Sequence, residues 1–342
     1  MSRKLILWLT VLALLTASAG CGAKQKTEPE TRTVFAMDTV MNLSAYGKGA
    51  ADALAEAEAE LHRLDAELAR GTEDSAVYRL NALGAVNDAT VAYLLQESIA
   101  ISEATGGAFD PTIAAVLELW GFGSGAGEHR VPSDDELAAA LAESGTDKLH
   151  IEGAQAALES GEADLGGIAK GWAGQRVRDI LTQRGVASAV IDLGGDVALL
   201  GKKPDGSRWR VAVRNPADTG AYLGILETGD VFVMTSGVYE RYFEENGVTY
   251  HHIIDPATGY PADSGVVSAT VICADGVWAD ALATAVCVMG AERAFALRDA
   301  LADTTPFELI LVTDDGRMLV SGGVADSFTP DPGSGYDYET IA

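Results

Sequence analysis

One glycine-rich stretch organises the chain, and it reads Asp164-Leu165-Gly166-Gly167-Ile168-Ala169-Lys170-Gly171-Trp172. The residues that follow, 173–181, have apolar side chains at helical spacing and predict a helix. A glycine-rich turn before a helix lets backbone N–H groups approach an anion, and a lysine there suits a phosphate or a flavin carbonyl. A tight turn before an amphipathic helix explains the spacing equally well. The pattern is neither a Walker A loop nor a complete dinucleotide fingerprint.

Two oxygen-bearing side chains, Asp280 and Thr284, lie four residues apart in the apolar segment 278–289, which predicts a buried helix. Residues at this spacing share one helix face, and a buried aspartate needs a partner. The pair could supply two ligands to Mg²⁺, which uses few protein ligands and keeps waters or substrate phosphates. The alternative is an aspartate satisfied by backbone amides near the helix start, with Thr284 bonding to its own helix.

Two adjacent histidines, His251 and His252, end a predicted strand and precede Asp255-Pro256. Neighbouring residues of a strand point to opposite faces, so at most one of the two can face a given pocket. His252 could bind a phosphate or accept a proton near neutral pH. A structural histidine that braces the following turn is an equal alternative.

The first residues predict export. Arg3 and Lys4 precede the apolar run 5–15, and small residues lead to Cys21. This order predicts a signal peptide over residues 1–20, a lipidated Cys21 and a flexible tether over residues 21–31. We therefore expect an extracytoplasmic protein anchored by lipid to a bacterial cell membrane. Ser18 stands where a lipobox usually has leucine, so an ordinary signal peptide with an incidental cysteine is the alternative.

The composition is strongly acidic. The formal net charge is −26, and removal of the signal peptide with its two basic residues would make it −28. Such a surface repels nucleic acid and anionic headgroups. Besides Cys21, the chain has only Cys273 and Cys287, whose apolar neighbours favour buried thiols over a disulfide and give no support to a Cys/His metal site.

Helical and strand patterns alternate without a strict βαβ order, which predicts an α+β fold with a mixed, largely antiparallel sheet and packed helices. We assign one domain to residues 32–325. Within it, residues 33–46 read as one strand, and helices are expected at 50–70, 88–105 and 292–302. The acidic Gly/Pro-containing segment 326–342 is expected to be loose.

Taken together and in order, seven motifs of this chain resemble those of the ApbE family. They are Phe35-Ala36-Met37-Asp38-Thr39, Gly107-Ala108-Phe109-Asp110-Pro111-Thr112, Trp120-Gly121-Phe122-Gly123, the glycine-rich stretch from Asp164, Asp192-Leu193-Gly194-Gly195-Asp196, His252-Ile253-Ile254-Asp255-Pro256 and Asp280-Ala281-Leu282-Ala283-Thr284. The similarity covers about residues 33–321, nearly all of the expected mature chain.

The resemblance implies a T-fold-like domain that binds FAD and Mg²⁺ in a cleft, and an FAD:protein FMN transferase activity. Such an enzyme cleaves FAD, releases AMP and attaches FMN by a phosphoester bond to a threonine of an exported redox protein. The implied partners are FAD, a threonine-containing acceptor flavoprotein subunit and the membrane through the lipid anchor, with no nucleic acid.

The resemblance also implies roles for individual residues. Asp280 and Thr284 would bind the metal with the main-chain carbonyl of Gly167. As catalytic residues we assign His252, as the base for the incoming hydroxyl, and Asp280, which could serve as that base only if it is not fully committed to the metal. The implied FAD contacts are Met37, Gly71, Ala108, Phe109, Asp110, Asp164, Lys170 and the backbone at Ile254. The chain departs from the family at Asp38, where glycine is frequent, and at Gly71, where some members carry an aromatic residue beside the flavin.

Two other classes of protein compete with this interpretation. A surface lipoprotein that binds FAD, or hydrolyses it without transfer, would explain the anchor and the glycine-rich cleft. It would leave the buried Asp280 and Thr284 pair without a purpose unless FAD is cleaved. A secreted hydrolase with a Ser/His/Asp triad has no nucleophile-elbow pattern here, because residues 235–238 read as the end of a strand.

Overall fold

A nine-stranded mixed sheet forms the centre of the protein, with strand order β1-β2-β6-β7-β10-β13-β14-β15-β17. The computed structural model describes residues 28–123 and 127–342. Every adjacent pair of strands in this sheet is antiparallel except β15 and β17, which are parallel. The expected α+β fold with a largely antiparallel sheet is confirmed. The predicted signal peptide, Cys21 and most of the tether lie outside the described residues.

The first half of the chain contributes mainly elements that cover the central sheet. In chain order they are β1 (Glu30–Ala36), β2 (Thr39–Ala45), α1 (Ala50–Leu68), α2 (Ala76–Leu83), β3 (Ala85–Asn87), α3 (Ala89–Thr105), α4 (Ala114–Trp120), α5 (Asp134–Glu143), β4 (Leu149–Glu152), β5 (Gln155–Leu158) and α6 (Ala169–Gln183). Strands β3, β5 and β4 form a small separate sheet.

The second half supplies most of the central sheet. Its elements are β6 (Ser188–Asp192), β7 (Val197–Gly201), β8 (Trp209–Arg214), β9 (Tyr222–Thr228), β10 (Phe232–Gly237), β11 (Tyr242–Glu245), β12 (Val248–His251), β13 (Val266–Cys273), α7 (Gly276–Met289), α8 (Ala291–Ala300), β14 (Phe307–Thr313), β15 (Arg317–Ser321), α9 (Gly322–Ala325), β16 (Phe328–Pro330) and β17 (Asp337–Ile341). Strands β16, β9 and β8 form a three-stranded sheet, and β11 pairs with β12.

The side chains of the central strands point alternately into two hydrophobic layers, one on each face of the sheet. Phe232 and Met234 of β10 pack with the helices, whereas Val233 between them packs with Leu226 and Phe328 of the three-stranded sheet. Successive side chains of a strand point to opposite faces, so one face of the central sheet carries the helices and the other carries the small sheet. Helix α7 lies on the helical face against β10, β13 and α6.

Several helix boundaries follow directly from local sequence. Ser133 caps α5 with a complete capping box, in which Glu136 is the reciprocal partner. The Asp88 carboxylate caps α3 by accepting bonds from the amides of Thr90 and Val91. Among the described residues, no helix is both long and apolar enough to cross a membrane.

Two predicted features of the chain ends are wrong. Residues 33–46 form a hairpin, not one strand, because Met37 and Asp38 turn the chain with φ values of 50° and 58°. The segment from Asp326, expected to be loose, contributes β16 and β17. The reason is that β17 adds to the edge strand β15 and β16 to β9, so backbone pairing orders an acidic segment.

Candidate active site

The carboxylate and the hydroxyl of α7 do share one face, and both line a cavity of about 280 Å³. Asp280 is 3% exposed, and its Oδ2 accepts a 2.8 Å hydrogen bond from the Gly171 amide of α6. Thr284 Oγ1 lies 3.2 Å from Ser236 Oγ at the end of β10. These contacts do not support the alternative from the sequence. Asp280 accepts from an amide of α6 and not from its own helix, and the Thr284 hydroxyl lies beside Ser236 of β10.

The glycine-rich turn lies opposite this face of α7. Asp164 closes the turn, because its Oδ1 accepts a 2.7 Å bond from the Gly166 amide and its own amide donates to Pro111 O at 2.7 Å. A Cβ on Gly167 would come within 3.1 Å of the Phe109 ring and 3.8 Å of Thr284 Oγ1. The backbone of Gly167 is thus close to the Thr284 hydroxyl.

Lys170 lies in the first turn of α6, which begins at Ala169, and not inside the glycine turn where the sequence suggested it. Its ammonium forms a short hydrogen-bonded ion pair with Asp196 and lies 3.6 Å from Asp280 Oδ1. The Asp196 Oδ1 accepts a 2.8 Å bond from the Thr235 amide. Lys170 thereby bridges two buried carboxylates, one from the turn between β6 and β7 and one from α7.

These contacts determine the protonation states at the cavity. Burial opposes the charge on Lys170, but Asp196 and Asp280 outweigh it and raise the pKa of the ammonium above its ordinary value. Burial raises the pKa of Asp280, and the adjacent Lys170 acts in the opposite direction. Lys170 is therefore cationic throughout the neutral range and supplies positive potential at the cavity.

The Ala108-Phe109-Asp110 turn forms another side of the cavity. Asp110 Oδ1 accepts bonds of 2.8 Å and 2.6 Å from the amide and hydroxyl of Thr112, and Thr112 Oγ1 accepts a 2.6 Å bond from the Gly145 amide. Burial raises the pKa of Asp110, although the bonds from Thr112 oppose that change. The turn is therefore fixed by its own hydrogen bonds.

The two histidines have different surroundings, as expected of neighbours at a strand end. His251 is buried, and its Nε2 lies 3.1 Å from Ala262 O, so it holds the chain beyond β12. His252 lines the cavity, with its Nδ1 3.2 Å from Arg241 O. A proton on Nδ1 would satisfy that contact and leave Nε2 as an acceptor. Burial, with Arg241 nearby, lowers the pKa of His252 to about 4, so the ring is neutral at pH 7.

Most of the sequence-predicted site residues meet in this one cavity. Its lining includes Ala108, Phe109, Asp110, Asp164, Gly167, Lys170, His252, Ile254, Asp280 and Thr284. Two predicted FAD contacts lie elsewhere. Met37 lines the neighbouring groove, which also contains Lys170, and Gly71 lines a separate depression beside Arg70 and Tyr78.

Ser236 and Glu240 line the cavity, and Asp196 pairs with Lys170 beside it. The sequence predicted no role for these three residues. Asp196 could have been found from the sequence, because it ends the glycine motif that follows a predicted strand. In the structure it is 4% exposed, so its carboxylate needs a partner. Ser236 lies near the end of β10 and Glu240 follows that strand, and neither residue belongs to a motif. Burial, followed by the charge of Asp196, raises the pKa of Glu240, although its side chain keeps solvent contact.

The oxygen groups of Asp280, Thr284 and Gly167 suit a magnesium ion. Asp280 Oδ1 lies 3.6 Å from the Lys170 ammonium, and Thr284 Oγ1 lies 3.8 Å from the position that a Cβ on Gly167 would take. In the described part of the chain there is no cluster of three or more His, Cys, Asp or Glu side chains that could bind a metal. One carboxylate, one hydroxyl and one carbonyl fit Mg²⁺, which completes its shell with waters or phosphate oxygens.

Comparison with known proteins gives a consistent result. The sequence model of the ApbE family matches residues 37–306. A relative named FAD:protein FMN transferase from Vibrio cholerae is 36% identical over 321 residues, covering 90% of this chain and 95% of the relative. A protein of the same name from Treponema pallidum is 32% identical, covering 92% and 93%.

Solved structures agree in fold. The ApbE protein of Thermotoga maritima superposes with a TM-score of 0.81 at 31% identity, covering 88% of this chain and 99% of that one. The flavin transferase ApbE of Vibrio cholerae gives a TM-score of 0.77 at 33% identity, with the same coverage.

Proposed function

The chain belongs to the ApbE family and is an enzyme of that family, and we propose that it is a magnesium-dependent FAD:protein FMN transferase. It would cleave FAD, release AMP and attach FMN by a phosphoester bond to a threonine of an exported redox protein. The observation that carries the proposal is the convergence of Asp280, Thr284, Gly167 and Lys170 on one cavity.

Asp280, Thr284 and the Gly167 carbonyl would hold the magnesium ion. When bound there, Mg²⁺ would neutralise pyrophosphate oxygens and stabilise AMP as the leaving group. The support for this set is the closeness of Gly167 to Thr284 and the contact of Asp280 with the α6 amide, which orients the carboxylate. The carboxylate would also balance the charge of Lys170.

Lys170 would bind the phosphates of FAD. One of its three N–H groups bonds to Asp196, and the others can donate to anionic oxygens in the cavity. Because two carboxylates raise its pKa, the ammonium would keep its charge while the substrate binds. Positioning and charge stabilisation of this kind usually supply most of the acceleration in phosphoryl-type transfer.

The transfer itself would exchange one phosphorus–oxygen bond for another. The threonine oxygen of the acceptor attacks the FMN phosphorus, the bond from that phosphorus to the AMP oxygen breaks, and the hydroxyl proton leaves. His252 is suited to accept that proton, because its neutral ring keeps one nitrogen free when Nδ1 bonds to Arg241 O. Water in place of threonine would give FMN and AMP.

The remaining cavity residues would bind the rest of FAD. The Ala108-Phe109-Asp110 turn, Asp164 and the backbone at Ile254 line the cavity, and Met37 lies in the groove that continues from it. Gly71 lines a separate depression, so we give it no part in binding FAD. We also propose, from the sequence alone, that Cys21 is lipidated and holds the enzyme outside the bacterial cell membrane.

The test is a direct search for AMP. Purified protein is incubated with FAD and Mg²⁺, with and without threonine peptides, and AMP and covalently bound FMN are measured. Transfer predicts AMP in both reactions and covalent FMN on the peptide. An FAD pyrophosphatase without transfer activity would release AMP and FMN but never label the peptide. A protein that only binds FAD would release no AMP.

A further inference from the structure

Beside the active-site cavity lies a second depression of about 470 Å³, which we call the β8 groove. Its floor is the face of the β6–β7 hairpin that carries Val190, Asp192, Val197 and Leu199. Its wall is the whole of strand β8, Trp209–Arg214. None of the floor or wall residues has a role in the proposed reaction.

The wall of the groove is the free edge of a sheet. Among the described strands, β8 pairs only with β9, as the last strand of the order β16-β9-β8. In an antiparallel strand, alternate residues direct both N–H and C=O away from the paired neighbour. An edge with such groups can bind an extended chain as an additional strand.

The floor of the groove is a part of the central sheet that the small sheet leaves uncovered. Under the small sheet, Val233, Ile272 and Ile310 are buried against Leu226 and Phe328. Farther along the same face, Val190 and Val197 are only half-buried. A strand added beside β8, about 4.8 Å from it, would lie over these valines and cover them.

The groove leads into the active site. Lys170, Thr235 and Glu240 line both the groove and the cavity. At this end lie Arg214 and the glycine turn, where a Cβ on Gly195 would come within 3.3 Å of the Arg214 guanidinium. At the other end of β8, Trp209 donates from its indole nitrogen to Gly201 O at 3.1 Å. Six strand residues extend roughly 17 Å, so the groove can hold about five residues of an extended chain.

The charges of the groove suit a polypeptide that binds mainly through its backbone. Arg210 and Arg214 are exposed on β8, and Lys170 stands at the mouth, whereas Asp192 and Glu240 supply the opposite sign. The floor between them is aliphatic. A groove with charges of both signs at its rim and aliphatic residues on its floor fits a strand in which every second side chain is apolar. Backbone pairing with β8 would supply the affinity.

We propose that the β8 groove binds an extended segment of the acceptor protein as a fourth strand of the small sheet and presents its threonine at the Lys170 end. This inference rests on the proposed transferase function and names where its second substrate binds. The continuity of the groove with the cavity favours the acceptor over any other occupant, because the groove leads to Lys170, the residue proposed to bind the phosphates. The bond exchange at phosphorus is the one given above.

The first test blocks the floor of the groove. Val190→Tyr places a ring over the floor while keeping a good strand former. Ile225→Tyr is the matched control, because Ile225 is also a half-buried branched residue of a strand but does not line the groove. The acceptor probe is a set of 12-residue peptides with one central threonine and randomised flanks. FAD hydrolysis in the absence of peptide reports on the active site.

We expect Val190→Tyr to lower kcat/KM for peptide labelling at least ten-fold while FAD affinity and hydrolysis stay within two-fold of the unsubstituted protein. Ile225→Tyr should leave all three unchanged. Normal labelling by Val190→Tyr would overturn the proposal. An equal loss of labelling and hydrolysis would also overturn it, since the groove would then serve FAD.

A second measurement does not require the groove to be blocked. A benzoyl-phenylalanine photocrosslinker at Ala212, an exposed residue of β8, should crosslink to the peptide, and the same group at Ile225 should crosslink at most one-tenth as much. Crosslinks between two copies of the chain, or none, would overturn the proposal. Peptide crosslinks without AMP release by the unsubstituted protein would support the groove and contradict the transferase function.

Discussion

Gly171→Ala tests the contact that aligns the two helices of the site. Gly171 on α6 packs directly against the start of α7, and a Cβ there would lie 2.0 Å from Gly276 O and 2.9 Å from the Asp280 Cβ. Relieving the first contact requires a separation of more than about 1 Å, because carbon–oxygen contacts lie near 3.3 Å. The obstacle is backbone, which cannot rotate away. The substitution must therefore push α6 and α7 apart where Asp280 binds the Gly171 amide.

Two opposing terms give the expected magnitude. Alanine is favoured over glycine inside a helix by about 1 kcal/mol. Overpacking a rigid interior costs about 1–3 kcal/mol and occasionally more. Since the clash at Gly171 is with backbone, we expect the upper part of that range and a net loss of about 1–2 kcal/mol. A 1 Å misplacement of Asp280 would in addition lower the rate of FAD cleavage by about 10²-fold.

Gly174→Ala on the same helix is the control. There a Cβ would meet only side-chain atoms, with Leu193 Cδ1 at 3.0 Å and Phe232 at 3.2 Å. Thermal unfolding and AMP release are measured for both variants. We expect Gly171→Ala to unfold a few degrees lower and to lose activity, and Gly174→Ala to stay close to the unsubstituted protein. Equal melting temperatures and equal rates for the two variants would refute the packing argument.

Three further predictions concern the charges of the site. Asp280→Asn should lower the rate of AMP release at least about 10²-fold because the charge at the metal position is lost. The amide oxygen of the new side chain can still accept the bond from the Gly171 amide. An unchanged rate would contradict the assignment of Asp280 to the site. EDTA should abolish AMP release and added Mg²⁺ should restore it, and turnover that survives EDTA would contradict a metal requirement. Burial lowers the pKa of His252 to about 4. The acid limb of the profile of AMP release against pH should therefore lie nearer pH 4 than pH 6.5, and it should vanish in His252→Gln. Because this folded pKa is below the unfolded value, the neutral ring stabilises the fold above pH 6.5. That stability is lost as the pH falls toward 4, by roughly 1–2 kcal/mol at pH 5, and urea unfolding of His252→Gln should show a smaller loss.

The sequence predicted the helical face of the site well because its signal is local. Asp280 and Thr284 lie one turn apart in an apolar segment, and no tertiary contact is needed to place them on one face. The start of the expected helix at Asp88 was equally clear because the capping side chain adjoins it. His252 rather than His251 was assigned to the site, and the structure places His252 in the cavity. The strand pattern alone could not make that choice, since it depends on the environment of each strand face.

Other features depended on contacts that no local pattern contains. Met37 and Asp38 adopt positive φ without a glycine, so the first hairpin had no turn signal. The ion pair of Lys170 joins it to Asp196, 26 residues away on another element. Strands β16 and β17 are ordered because they pair with β9 and β15, and their acidic composition gives no sign of this pairing. The β11–β12 hairpin was missed although Asn246-Gly247 at its turn is a strong hairpin signal.

The most direct measurement of the central claim is the mass of a threonine peptide after incubation with the purified protein, FAD and Mg²⁺. We predict that one FMN, less one water, is added to the threonine and that at least one AMP appears for each peptide labelled. The Asp280→Asn protein should leave the same peptide unlabelled. A peptide that keeps its mass while FAD remains intact would contradict the proposed function and the assignment of the cavity.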